Sequence, residues 1–373
     1  MYDYLIVGAG FSGCTLAERI ATVLKKKVLI VDKRNHIGGN AYDFYNDEHI
    51  LVHKYGPHIF HTNSAKVWNY LSRFTQWNMY FHHVLGYVEG KLIPVPFNLN
   101  SLHAVFPERY ATTLEEQLLQ QFGYGEKIPI LKLQQSAQGD LQFLAKYIYD
   151  NIFHGYTTKM WEITPEKLDP SVTARVPVFL SRDDRYFQDT YQGIPALGYT
   201  KMFENMLASP LIHIALQTDY QDIMDTIKFD KMIYTGPIDA YFDYMHGELP
   251  YRSLRFDFQT FDEDLTQKVA QINYPNNHHC TRTTEFKHLT KQKSTKTTVA
   301  YEYPQLYDKS LNEPYYPIPQ QENTELARKY KLEAEKIQSS VLFCGRLADY
   351  QYYNMDQVTA RALSVFEHKV AQQ

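Results

Sequence analysis

The chain has 373 residues, 44% of them hydrophobic, enough to bury a large core in two or three domains. Its net charge of -4 gives no sequence-wide basic field for nucleic acid, and no apolar run approaches the roughly 18 residues that a membrane span needs. Three scattered cysteines, Cys14, Cys280 and Cys344, contain no Cys-x-x-Cys pair, which argues against structural disulfides or a thiolate metal site.

The first predicted strand, Tyr4 to Val7, begins so early that no signal peptide is expected, and a cytoplasmic location is. It runs into Gly8-Ala9-Gly10-Phe11-Ser12-Gly13, a Gly-x-Gly-x-x-Gly turn. In such a turn Gly8 permits the tight bend, Gly10 lets backbone approach a pyrophosphate, and Gly13 lets the next helix pack on the strand. Leu16, Ile20, Val23 and Leu24 give that helix an apolar face. A second strand, Val28 to Val31, ends at Asp32, an acid placed to accept hydrogen bonds from an adenosine ribose. Lys33 to Asn40 follows, with Gly38-Gly39, and a second glycine pair behind the ribose-binding acid suits an extended FAD. His58 and His61 sit three apart after Gly56-Pro57, and no third ligand at a useful spacing supports a metal, so none is expected.

From about 101 to 160 the leucine and isoleucine spacing predicts helices, with Leu114, Leu118, Leu141, Leu144 and Ile148 inward. From about 172 short strands are expected, among them Val176 to Phe179, Leu254 to Phe258 and Thr297 to Tyr301. Ile212 to Leu216, Met232 to Pro237 and Val341 to Arg346 read as returns to the nucleotide domain, and a helix is expected from Met355 to Val370. Its N-terminus would favour an anionic reduced flavin. Arg175 and Arg282 stand out as arginines able to grip a diphosphate, although sequence alone does not bring them together.

The fold class is therefore α/β. A discontinuous Rossmann-like FAD-binding domain is expected over 1–80, 198–245 and 318–373, with an inserted helical domain over 100–165. An antiparallel β-sheet substrate domain is expected over 81–99, 166–197 and 246–317.

Several motifs then occur in one order: His-Ile-Gly-Gly-Asn-Ala-Tyr, Gly-Pro-His-Ile-Phe-His-Thr, Gly-Tyr-Thr-x-Lys-x-Trp, Tyr-Gln-Gly-Ile-Pro, Tyr-Thr-Gly-Pro-Ile-Asp, Glu-Pro-Tyr-Tyr-Pro and Gly-Arg-Leu-Ala-Asp-Tyr. In these, from about residue 2 to about residue 365, the chain closely resembles the bacterial UDP-galactopyranose mutase family. The resemblance implies non-redox isomerisation of UDP-galactopyranose to UDP-galactofuranose, for galactofuranose-containing surface glycans. Only reduced FAD would be active, attacking the anomeric carbon through N5 to form a sugar adduct. Arg175 and Arg282 would stabilise the charge that grows on the diphosphate leaving group, and His58 would steer flavin geometry and proton movement.

The substrate positions that the resemblance implies are His61, His82, Tyr156, Thr157, Trp161, Tyr186, Tyr316, Tyr352 and Asn354, with the two arginines. Its cofactor positions are Gly8, Gly10, Phe11, Ser12, Gly13, Asp32, Lys33, Gly38, Gly39 and Asn40, then His58, Ile59, Gly236, Arg346, Tyr352, Met355 and Asp356. A loop around Arg175 would close over substrate. The family also implies a homodimer and a reductant such as NAD(P)H or a flavin reductase. Asn354 replaces a common aspartate, His82 a common asparagine and Met160 a common glutamine, which bears on affinity and on tolerance of an N-acetyl sugar. Two rivals share the nucleotide fold: an amine-oxidase-like flavin oxidoreductase, and a catalytically silent binding protein like the Rab escort proteins. The aromatic and arginine motifs disfavour the first, and the intact glycines with Arg346 the second.

Overall fold

The computed structural model describes residues 1–136, 138–168, 176–276 and 278–372. The chain packs into two compact units, one of Met1–Tyr80, Asp189–Ser253 and Tyr307–Gln373, the other of Phe81–Gln188 and Leu254–Leu306.

The first unit is built on a five-stranded sheet of β1 (Tyr2–Val7), β2 (Val28–Asp32), β3 (Ile212–Leu216), β4 (Phe229–Tyr234) and β5 (Val341–Phe343). Their order is β3-β2-β1-β4-β5 and every pair is parallel. Parallel strands are covered on both faces, which is why these segments read as continuous apolar runs. Ile6, Ile30 and Ile233 bury into one core, while Leu5, Leu29 and Met232 bury into another. Three helices position the site: α1 (Phe11–Arg19), α2 (Tyr199–Met206) and α3 (Met355–Val365). Beyond Arg19 the chain continues as a π-helical turn, Ile20–Leu24. That wider turn carries Val23 off the buried face, leaving it 50% exposed where the helical spacing had placed it inward.

A small antiparallel sheet in the same unit pairs Phe60–Thr62 and Trp77–Met79 with Tyr191–Pro195, and so fixes His61 opposite Gln192. Tyr316–Pro317 pairs with Tyr251 and Arg252.

In the second unit a sheet runs in the order 254–261 (the part of strand Tyr251–Phe261 beyond Ser253), Thr297–Leu306, Arg282–Glu285, Gln271–Asn273, Val84–Val88 and Lys91–Val95. Gln271–Asn273 lies parallel to Val84–Val88. Arg282–Glu285 is antiparallel to both of its neighbours, as Val84–Val88 is to Lys91–Val95. Helices Leu99–Val105, Glu108–Phe122 and Asp140–Ile148 bury Leu102, Leu114, Leu118, Leu141, Leu144 and Ile148 in one core. The expected strand over Val176 to Phe179 shortens to Val178–Phe179, because Pro177 has no N–H to donate. Among the described residues no helix is long and apolar enough to cross a membrane, and no cluster of His, Cys, Asp and Glu could hold a metal.

Candidate active site

The C-terminal ends of β1, β2, β4 and β5 open onto a cavity of about 530 Å³ in the first unit, a size suited to a small-molecule or cofactor site. Its floor is backbone. Gly8 has φ +104°, and a Cβ there would lie 2.1 Å from Thr235 Oγ1. A Cβ on Gly39, at φ +56°, would come within 2.9 Å of the Gly10 Cα. These two loops therefore meet so closely that they present amides rather than side chains, as a diphosphate requires. Gly13 acts differently, since its Cβ would fall 1.9 Å from the Gly8 oxygen. It seats α1 on the turn and does not line the cavity.

Asp32, at the end of β2, accepts from the amides of Ala9 (2.8 Å) and Arg34 (2.9 Å). Those bonds hold its carboxylate at the cavity, where a ribose hydroxyl would reach its remaining lone pairs. Phe11, Ser12, Lys33, Gly38 and Asn40 also line the space, as do Gly236, Arg346 and Met355. Arg346 is fixed by donating to the carbonyls of Tyr353 (2.6 and 3.1 Å) and Tyr315 (3.3 Å). Met355 begins α3, so the positive end of that helix faces the cavity. Ile59, Tyr352 and Asp356 lie outside the lining. Asp356 accepts from Thr62 Oγ1 at 2.9 Å, and the Tyr352 ring meets Tyr316 edge-on at 5.0 Å.

His58 lines the cavity with its Nδ1 2.8 Å from the Gly56 carbonyl and its amide 3.0 Å from His53 Nδ1. Burial pushes His53 down to about 3, so it stays neutral and its Nδ1 accepts. Tyr199, at the start of α2, donates its hydroxyl to the His58 carbonyl at 3.2 Å. Buried Asp43 caps α2, accepting from the amides of Tyr199 (2.6 Å) and Thr200 (2.8 Å). His61 Nδ1 pairs with Asp189 at 2.9 Å. Asn354 is the N-cap residue of α3, and its amide donates to Gln357 Oε1 at 2.9 Å.

The second unit holds a separate group of the expected residues. Helix Gly155–Trp161 carries Tyr156, buried Thr157 and buried Trp161. His82 is buried, its carbonyl accepts from the Tyr186 amide at 2.7 Å, and its ring lies against Tyr186 and Phe187. Arg282 binds Glu302 through Nε and a terminal nitrogen, both at 2.7 Å. Buried Glu302 faces it across the strands and also accepts from Thr281 Oγ1 at 3.0 Å. Arg175 lies outside the described residues.

Sequence reasoning passed over Thr235, Glu302, Glu313 and Lys159. Glu313 closes on Arg34 at 2.8 Å, and both line the cavity. Thr235, Glu313 and Lys159 each stand inside one of the family motifs, which was the available signal; Glu302 had none, because cross-strand register is not written in local sequence.

Residues 151–352 match the family described as UDP-galactopyranose mutase, and residues 6–74 match one described as NAD(P)-binding Rossmann-like domain. A probable UDP-galactopyranose mutase of Klebsiella pneumoniae is 36% identical, over 97% of this chain and 93% of its own length. A dTDP-fucopyranose mutase of Escherichia coli is 33% identical over 97% of each. Among solved structures, a reduced UDP-galactopyranose mutase superposes with a TM-score of 0.76 at 15% identity, covering 100% of this chain and 94% of the other.

Proposed function

The chain belongs to the UDP-galactopyranose mutase family, and we propose that it interconverts UDP-galactopyranose and UDP-galactofuranose without net redox change. What supports this reading is the pair of glycine loops closing to backbone contact around one cavity, in a chain that aligns with 93% of the length of the Klebsiella relative. FAD fits those loops: Asp32 suits its ribose, Gly10 and Gly39 its diphosphate, and the start of α3 an electron-rich ring. When bound and reduced, FAD supplies a nucleophilic N5 for the anomeric carbon.

The chain's own residues orient the substrate and manage charge. Breaking the anomeric bond releases UDP, so negative charge grows on the diphosphate. Arg282, held flat by Glu302, and Arg175 receive it, each as a planar multi-donor cation. Tyr186, Tyr316 and Tyr352 donate phenolic hydrogen bonds without adding charge. Trp161 and Tyr156 stack on the base, with Thr157 and His82 beside them. His58, His61 and Asn354 border the sugar, and His58 steers flavin geometry and proton movement from an imidazole oriented by the Gly56 carbonyl. Ile59, Tyr352 and Asp356 support the flavin from outside the cavity wall. The product feeds galactofuranose-containing surface glycans, and the enzyme works in the cytoplasm as a homodimer with a reductant such as NAD(P)H or a flavin reductase.

The E. coli relative favours a second reading, in which the nucleotide is thymidine-linked and the sugar is fucose. The test of the diphosphate assignment is Arg175→Ala and Arg282→Ala. Each is expected to cost at least about a hundredfold in turnover with bound FAD retained. Near-normal turnover in both would remove the assignment.

A further inference from the structure

Lys159 lies on helix Gly155–Trp161, between the aromatic residues assigned to the nucleotide. Its half-buried ammonium donates to four main-chain carbonyls. The nearest is Tyr274, followed by Asn276 (3.1 Å), His278 (3.1 Å) and Cys280 (3.3 Å). These carbonyls belong to the connection between Gln271–Asn273 and Arg282–Glu285, so the cation gathers the loop that delivers Arg282. Two other contacts press the same helix on the same loop. A Cβ on Gly155 would lie 2.4 Å from the Pro275 oxygen, leaving room for hydrogen only. Asn276 also donates to the Asn151 carbonyl at 3.0 Å, one turn before the helix.

Carbonyls that converge in this way repel one another unless a cation sits among them, and an ammonium has no more than three N–H donors to share. Burial lowers the Lys159 pKa, as expected of an ammonium drawn out of water. A surface lysine needs no such enclosure. The loop ends at the register that sets Arg282: the Tyr274 amide donates to Thr281, the Thr281 amide donates to Glu302, and Arg282 pairs with Asn273.

We propose that Lys159 is a positioning residue, the built-in cation of a four-carbonyl cage, which locks the Arg282 loop to the nucleotide-binding helix so that arginine and aromatic residues meet one UDP together. This deepens the mutase reading and rests on it for the identity of the ligand.

The test removes the cation and returns it from solution. Lys159→Ala holoprotein is compared with the unsubstituted holoprotein for UDP affinity, turnover, flavin content and amide exchange at Tyr274 and Thr281, with and without methylammonium. UDP affinity is expected to fall at least about tenfold, a loss of about 1.4 kcal/mol, with faster exchange at both amides and unchanged flavin content. Methylammonium, seated in the vacated cage, restores affinity and protection in the variant and leaves the unsubstituted protein unaffected. UDP affinity within about twofold of the unsubstituted protein overturns the proposal. So does faster exchange that leaves affinity and turnover unchanged, or a loss of affinity that no amine restores. If Lys159→Ala does not fold, Lys159→Gln, which keeps donors but no charge, must show the same loss of affinity, and native affinity there refutes the cage. An unsubstituted protein that binds UDP without turnover defeats the mutase reading alone, and one that binds no UDP defeats both.

Discussion

Replacing Gly39 by alanine separates two costs that the structure assigns to different origins. The residue adopts φ +56°, and an alanine held there carries about 1–2 kcal/mol of left-handed strain. Its Cβ would also stand 2.9 Å from the Gly10 Cα, in backbone that has no side chain to swing away. Pushing those loops apart costs about 1–3 kcal/mol more, and that part falls on whatever diphosphate the loops hold. Gly90→Ala is the control, because Gly90 has φ +79°, a methyl there would meet nothing within 4 Å, and the residue lies in the other unit. Both variants should lose thermal stability. Only Gly39→Ala should lose FAD affinity, by about 5- to 150-fold, in a fluorescence titration of the deflavinated protein. FAD binding by Gly39→Ala as tight as that of the control would refute the claim that the approach of the two loops forms the diphosphate site.

Glu285 gives a pH test of the second unit. Burial alone would raise its pKa, but bonds from His288, the Thr266 and Gln267 amides and Thr297 outweigh burial and bring it to about 2. Its contribution, on the order of 3 kcal/mol, is full above about pH 5 and is lost as pH falls through 4.5 toward about 2. Glu285→Gln should therefore lower urea stability markedly at pH 7 and much less near pH 3, and an equal deficit at both would contradict this. Asp43→Ala removes the cap of α2 and should cost about 1–2 kcal/mol, read as a lower melting temperature, with weaker flavin binding through Tyr199 and His58. An unchanged melting temperature would show that the cap contributes nothing.

The nucleotide unit was largely legible in the sequence because its signals are local. Apolar runs stopping at glycine marked β1 and β5, an apolar run ending at Asp32 marked β2, and the Gly8 to Gly13 spacing marked the turn. Interactions made across long sequence distances were hidden. Asp43 caps a helix 156 residues away, and Glu302 finds Arg282 only through strand register. The π turn after α1 defeated the spacing rule at Val23, since a 3.6-residue period cannot anticipate an inserted residue. Lys159 stands in a family motif, but its four carbonyl partners carry no side-chain signature that a sequence could display.

The most direct measurement incubates the purified, FAD-loaded protein with UDP-galactofuranose, with and without dithionite, and separates the nucleotide sugars by chromatography. UDP-galactopyranose should form only with reduced flavin and without net consumption of reductant. A reduced, flavin-loaded sample that leaves UDP-galactofuranose unchanged would contradict the account, and dTDP-fucopyranose would then be the substrate to try.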